Sequence, residues 1–414
     1  MNKEEKICII GGGISGLSAA YYLQKKGYMN VTVLEKSSRL GGKCHSIRYK
    51  DKVYEMGTLM GVPAYTNIKA LMKEFYMEND GPLLYRGFFN DKGGKVLQIE
   101  KNDTSKFRSE FLRLPDIMKK YEFLQQPGFK NLPEELCEPF SKWCDKNELS
   151  VMKKVFSHCF TAYGFGYIDE IPAAYVLKFL DFNTLTSFIE ITHLITWTEG
   201  IEELIGKLAN SLEDIRLTSE VVRITRNETI EVETDHEILI FDKLVITSPL
   251  DEIVNFMEMD SSISELFGKI SYEDFRVYAY KVEGFTPICG YIPQNMCAER
   301  KGHALVWYYR WNEGRNNELI TVYSLGDSSM DEKIVKSIVE DDMINLGMKI
   351  NGLYMHRRWK HFPHVDSETL KGGFYDKLEG LQGKNNTYYG GEIMNFSNIE
   401  KCTSYSKYLV ETYF

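Results

Sequence analysis

A chain of 414 residues, 43% hydrophobic and 26% charged, is long enough for two domains with large cores and too apolar to be disordered. Its formal net charge of −9 comes without any block of lysine or arginine, which argues against nucleic acid as a partner. Met1 to Lys6 leads straight into an apolar strand, no stretch is long and apolar enough to span a bilayer, and the eight cysteines include no C-x-x-C pair; the expectation is a cytoplasmic protein with reduced thiols and no zinc.

The first predicted element is the strand Ile7-Cys8-Ile9-Ile10, which breaks into Gly11-x-Gly13-x-x-Gly16 before an Ala-rich helix from Leu17 to Lys26. This is the strand, turn and helix start of a dinucleotide-binding βαβ unit. Gly11 leaves the strand with positive φ, Gly13 lets the backbone approach a pyrophosphate, and Gly16 lets the helix pack on the sheet. Phosphates then sit at the helix N-terminus. A second strand, Val31 to Leu34, ends on Glu35, 19 residues after Gly16. An acid there takes both hydroxyls of an unphosphorylated adenosine ribose, as in FAD or NAD. Arg39-Leu40-Gly41-Gly42-Lys43 is a second glycine turn.

Residues 47 to 56 alternate as a strand pair around Lys50-Asp51-Lys52, and Asn67 to Met77 places Ile68, Leu71, Met72 and Phe75 at helical spacing. Leu83 to Ile99 reads as a hairpin turning at Asp91-Lys92-Gly93-Gly94. Lys106 to Phe188 is mainly helical and rich in Phe, Tyr and Leu, a helical cap. A helix follows from Thr198 to Leu212, then one strand from Ile215 to Ile224, a hairpin from Ile230 to Phe241 and a strand within Asp242 to Pro249. Strands between residues 272 and 325, among them Val277 to Tyr280 and Glu318 to Tyr323, predict a second sheet. A helix from Met330 to Leu346, a strand ending at Gly391-Glu392 and a helix from Ile399 to Thr412 complete the chain.

The G-x-G-x-x-G turn followed by Glu35-Lys36-x-x-Arg39-Leu40-Gly41-Gly42-Lys43 resembles the two-dinucleotide-binding entry of flavoproteins in the amine oxidase superfamily, whose cofactor is FAD. Gly41 to Ser46, Tyr54 to Pro63, Phe160 to Gly164, Ile171 to Lys178, Phe362 to Val365 and Gly391 to Met394 are similar to the bacterial FAD-dependent polyunsaturated fatty acid double-bond isomerases of that superfamily. The resemblance implies an α/β fold, with a Rossmann-like FAD domain from 1–78, 200–250 and 370–414. A mixed-sheet substrate domain would come from 79–105 and 251–369, and the helical cap from 106–199. It implies cofactor contacts at Gly11, Gly13, Ile14, Ser15, Gly16, Glu35, Lys36, Gly42, Lys43, Gly57, Thr58, Leu59, Met60, Val221, Glu392 and Ile399. Val221 would hold the adenine through its backbone, and the helix starting at Ile399 would point its N-terminus at the flavin O2.

The implied activity is hydride transfer from the methylene between two double bonds to flavin N5 and back to another carbon, giving conjugated isomers of linoleic acid without net redox. No side chain then needs to act as a catalytic base; the protein supplies a dry apolar slot and an anchor for the carboxylate of the free fatty acid. Arg86, set among aromatics, matches the isomerases' channel-mouth arginine, and Phe188 the aromatic gate beside it. Tyr163 and Phe165, with Tyr167, alternate with glycines and are candidate channel walls. Tyr163 stands where the isomerase segment has Phe, and residues 101–150 and Asn183 to Ser187 match it poorly.

His361 and His364 form an H-x-x-H pair, but the intervening Phe362-Pro363 forbids a helical metal site; with Trp359 they receive no role. Transient membrane contact through Phe88 and Phe89 is a further expectation. A flavin amine oxidase or dehydrogenase is the main rival, disfavoured because Ala279 falls where such enzymes carry a lysine. A flavin-bound carrier without activity is the third reading.

Overall fold

Ile7–Ile10 is buried along its whole length, as a central strand covered on both faces must be. In the computed structural model, which describes residues 2–190, 194–284, 288–311 and 319–414, it is the middle of five parallel strands. Their order is Thr387–Tyr389, Lys243–Ile246, Ile7–Ile10, Val31–Leu34 and Asp214–Arg216. Ile7 pairs with Lys243 on one side and Val31 on the other. Segments far apart in sequence thus end side by side, and a parallel sheet binds its ligand beyond the strand carboxyl ends.

The helix Ile14–Lys25 starts directly after the glycine turn and packs on the helix Ile399–Tyr413. Ser406 Oγ donates to the Ser15 carbonyl at 2.8 Å and Ser18 lies 3.4 Å from Thr403. These small side chains let the helices approach closely, so that Ile14-Ser15 and Asn398-Ile399 line one cavity.

A second, seven-stranded sheet runs in the order Lys349–His364, Ser271–Glu283, Leu319–Gly326, Ala304–Tyr308, Cys289–Tyr291, Arg86–Phe89 and Lys95–Val96. Its neighbours are antiparallel except Cys289–Tyr291 with Arg86–Phe89. Thr104–Lys119, Phe140–Lys146, Ser150–Phe160, Ala173–Phe179 and Phe182–Glu190 are the helices of the expected cap. Buried Glu110 joins two of them, accepting from Val151 N at 2.9 Å and Met152 N at 2.7 Å at the start of Ser150–Phe160.

Three local expectations change. The single strand over Ile215 to Ile224 is two, Asp214–Arg216 in the parallel sheet and Val221–Arg226 in a separate three-stranded sheet. Thr218 takes φ +51 between them, because Thr218 N and Ser219 N donate to Ser37 O and Glu35 O at 3.0 Å and pull the link onto the end of the acidic strand. The 16-residue strand Lys349–His364 was not predicted at all: most of its side chains are exposed or half-buried, so no two-residue apolar period marks it. Phe88 and Phe89 are buried, at 8% and 3% exposure, so the membrane contact expected of them fails; the exposed apolar residues nearby are Leu83, Tyr85, Val96 and Leu97. Glu318, where one strand was to begin, lies outside the described residues. All eight cysteines are free, and among the described residues no helix is long and apolar enough to cross a membrane.

Candidate functional site

One cavity of about 920 Å³ reaches from the carboxyl ends of the parallel strands to the second sheet. It is at the upper end of the size of small-molecule and cofactor sites. At one end its wall is backbone. Gly11 adopts φ +107 and its amide donates to Leu34 O at 2.9 Å, which bends the chain off the strand. Gly13 has nothing within 4 Å of a would-be Cβ, so its face stays open. Gly16 lies beneath the wall, and a Cβ there would stand 1.9 Å from the Gly11 carbonyl oxygen.

Glu35 ends its strand with both carboxylate oxygens held, Oε2 by Gly12 N and Oε1 by Ser37 N, each at 2.8 Å. The same end is lined by Ile14, Ser15, Lys36, Gly42, Lys43, Gly57, Thr58, Val221 and Ser248. Lys43 Nζ meets Glu392 Oε2 at 2.7 Å. Burial pushes the Glu392 carboxyl up, but Lys43 and the smaller contributions of its other neighbours together hold the group below the ordinary carboxylate range. Asn398 caps the helix Ile399–Tyr413 by accepting from Lys401 N at 2.7 Å, and Ile399 lines the cavity at that helix start.

The other end is aromatic. Leu59, Met60, Tyr163, Phe165, Phe179 and Phe188 face Phe275, Tyr308, Tyr323 and His361 across it. Phe165 is aimed by its neighbours: Gly164 and Gly166 take φ +80 and +85, and a Cβ on Gly164 would reach the Phe275 ring at 2.3 Å. His361 stacks between Phe165 and Phe275, with centroids 5.1 and 5.0 Å away. Burial drives its pKa down to about 3, so its ring is neutral. Trp359 Nε1 donates to Met56 O at 2.6 Å and the indole joins the wall, while His364 turns away and bonds Phe362 O at 2.9 Å.

Of the residues expected from the sequence to touch cofactor or substrate, all but Gly16, Arg86 and Tyr167 border the cavity. Arg86 lies behind the wall. Its guanidinium donates to Phe188 O, and more distantly to Ile189 O at 3.5 Å, at the end of the helix Phe182–Glu190. It also sits 5.4 Å from the Phe88 ring and 5.5 Å from the Tyr291 ring, and its buried Nε has no partner among the described residues. Two candidates are corrected. Tyr167 is buried against the second sheet with its hydroxyl 3.4 Å from Leu325 O, outside the cavity wall. Ala279 is equally remote; on its strand Tyr272 and Phe275 reach the cavity. Phe179, Phe275, Tyr308 and Tyr323 were missed, because aromatics on buried strands and helices read simply as core.

The donor set fits a flavin dinucleotide: an acid at the second strand end, a glycine turn open at Gly13, two helix starts and an apolar chamber beyond. Residues 14–271 match the family model described as flavin containing amine oxidoreductase. The crystal structure of a CLA-producing fatty acid isomerase from P. acnes is 35% identical, covers 100% of both chains and superposes with a TM-score of 0.96. The FAD-dependent oxidoreductase oblC of Cochliobolus heterostrophus is 25% identical over 97% of this chain and 89% of its own. A polyenoic fatty acid isomerase of Ptilota filicina is 39% identical over 70 residues, 17% of this chain and 14% of that protein.

Proposed function

We propose, for a chain that belongs to the flavin-containing amine oxidoreductase family, that it moves a double bond of a free polyunsaturated fatty acid such as linoleic acid into conjugation. The protein is an isomerase and FAD is its cofactor. The observation that carries the reading is one continuous cavity, backbone-lined at one end and aromatic at the other. Bound FAD would supply at N5 a reversible hydride acceptor for the methylene between two double bonds, without net redox.

Everything else falls to the side chains and backbone. Glu35, already oriented by two amides, receives the ribose hydroxyls. Gly11, Gly13, Ile14 and Ser15 leave room for the pyrophosphate over Gly16, with Lys36, Gly42, Lys43, Gly57 and Thr58 around it and Val221 beside the adenine. Glu392 would flank the pyrophosphate and ribityl region and the helix start at Ile399 the flavin O2, where the helix dipole favours negative charge. Leu59, Met60, Tyr163, Phe165 and Phe188 hold one methylene in place and keep water from a carbon chain bearing transient positive charge. Arg86 takes the carboxylate in exchange for the Phe188 and Ile189 carbonyls. In this division 1–78, 200–250 and 370–414 hold the cofactor, 79–105 and 251–369 the substrate, and 106–199 the cap.

The test is to incubate the yellow holoprotein with linoleic acid and follow conjugated-diene absorbance and dissolved oxygen together. Diene that accumulates past one turnover with no oxygen consumed is the expected result. Oxygen uptake without diene would return the protein to the oxidases.

A further inference from the structure

Three tyrosine hydroxyls form a chain beside the aromatic end of the cavity. Tyr163 and Tyr291 hydroxyls are 3.1 Å apart, and those of Tyr291 and Tyr308 are 3.0 Å apart. Tyr163 ends a short turn of the cap; Tyr291 and Tyr308 stand on neighbouring strands of the second sheet. Tyr163 and Tyr308 line the cavity, and Tyr291 lies behind them.

Counting protons gives the chain a direction outward. Three hydroxyls carry three protons, and two links use two of them. In either head-to-tail order the third proton sits on Tyr163 or Tyr308, the two residues that face the cavity, and an acceptor oxygen in the cavity favours these orders over the one in which both ends donate to Tyr291. Its sole acceptor among the described residues is the Met60 thioether, 4.0 Å from the Tyr163 hydroxyl and a weak acceptor. Burial raises the pKa of both end tyrosines well above the ordinary value, so the protons stay on.

A spare donor beside a hydrocarbon chain is a penalty; beside an oxygen it is a contact. The neighbouring charge says which oxygen. Arg86 lies 5.5 Å from the Tyr291 ring, and no carboxylate pairs with it among the described residues. The local field therefore favours an anion over a neutral hydroxyl or ester oxygen.

We propose that the Tyr163–Tyr291–Tyr308 chain is a second recognition element for the substrate carboxylate, donating one hydrogen bond from its cavity-facing end while Arg86 supplies the charge. This rests on the fatty acid reading above. It adds to Arg86, which must first leave the Phe188 and Ile189 carbonyls, a donor already at the cavity face that bonds a carboxylate more strongly than an alcohol.

The chain makes a prediction that a structural role does not. Tyr163→Phe or Tyr308→Phe alone leaves a donor at the opposite end, so each costs little. The double variant leaves only Tyr291, which does not line the cavity, and should weaken linoleate binding about tenfold. Tyr291→Phe breaks the chain but frees a proton on each end, so binding stays within about twofold or tightens. The experiment titrates linoleate and linoleyl alcohol into each holoprotein, reading the flavin spectrum, with flavin content and melting temperature as controls. The expected double variant keeps its flavin, loses acid affinity about tenfold and binds the alcohol as the wild type does. Unchanged or tighter acid binding in that variant, or Tyr291→Phe as the weakest binder, overturns the proposal alone. A wild-type protein that binds neither lipid overturns both the proposal and the fatty acid reading.

Discussion

The two ends of the cavity are held by opposite means. At the glycine-lined end backbone lies against backbone, so position is tightly fixed: Gly16 rests on Gly11 and Gly57 on Lys43, where an added Cβ would stand 1.9 and 2.0 Å from a carbonyl oxygen. At the aromatic end rings lie against rings, with Phe165, Phe179, Phe362 and Phe396 meeting at centroid distances from 4.8 to 5.5 Å. Carbonyl oxygens in a packed turn cannot retreat, whereas rings shift by rotamer and tilt. The backbone-lined end is accordingly the brittle one, and the aromatic end the adaptable one.

The largest effect that separates them is Gly16→Ala. The new methyl cannot fit against Gly11 O, so the helix must lift from the sheet and the turn is lost. The expected product carries no flavin, measured as flavin per chain in the purified protein. Flavin at the wild-type ratio would show that the turn is softer than its contacts imply.

Next is Glu400→Ala, which acts on the joint between the two ends. The buried Glu400 carboxylate accepts from Thr66 N, Asn67 N and Ile68 N at 2.9 to 3.0 Å and from the side chains of Thr66 and Asn67. It ties the start of the helix Thr66–Glu74 to the helix that begins at Ile399. Removing a charged acceptor from several buried donors should cost about 3 kcal/mol in equilibrium unfolding. A loss within about 0.5 kcal/mol would mean that water replaces the carboxylate.

Gly164→Ala probes the adaptable end. Its positive φ and the Phe275 ring 2.3 Å from the new methyl should cost about 2 kcal/mol. The rings can move, so flavin content is retained while diene formation falls several-fold. Loss of flavin in step with activity would erase the distinction between the ends.

The same contrast governs what could be read from the amino acids. Glycine is required wherever backbone touches backbone or φ is positive, so Gly11, Gly16 and Gly41 announce their positions, and Glu35 follows from strand length. An aromatic residue has no such obligation. Tyr308 and Tyr323 alternate with other apolar residues along strands that are buried throughout, so nothing local separates a cavity wall from ordinary core. Arg86 was recognised through its aromatic neighbours, but its place behind the wall depends on the carbonyls of Phe188 and Ile189, more than 100 residues later. Lys349–His364 carries charge on both faces and is a strand because Ser271–Glu283 pairs with it, a tertiary cause that no local pattern announces.

The smallest effect is a pH dependence confined to the aromatic end. His158 is buried beside Phe88, 5.3 Å between ring centroids, with Nδ1 unpartnered among the described residues. Burial, with Arg86 adding repulsion, lowers its pKa to about 4. A histidine depressed in the fold stabilises it fully above the unfolded value of about 6.5, and that stability drains away as pH falls towards the folded value. At pH 5 the loss is about 2 kcal/mol. The whole molecule hides it, because Glu55 and Glu273 have pKa values raised by burial to about 7. Raised carboxyls act in the opposite sense, adding stability as pH falls from about 7 to the unfolded value near 4.3. His45 and His361, lowered by burial to about 4 and about 3, lose stability along with His158 while the two carboxyls gain it, so the melting curve of the wild-type protein should be nearly flat between pH 7 and 5. The informative quantity is the difference between wild type and His158→Phe. That difference should shift in favour of the variant by about 2 kcal/mol between pH 7 and 5, whatever its value at neutral pH. A difference that does not change with pH would mean that His158 titrates alike in the folded and unfolded states, and that the aromatic end admits water.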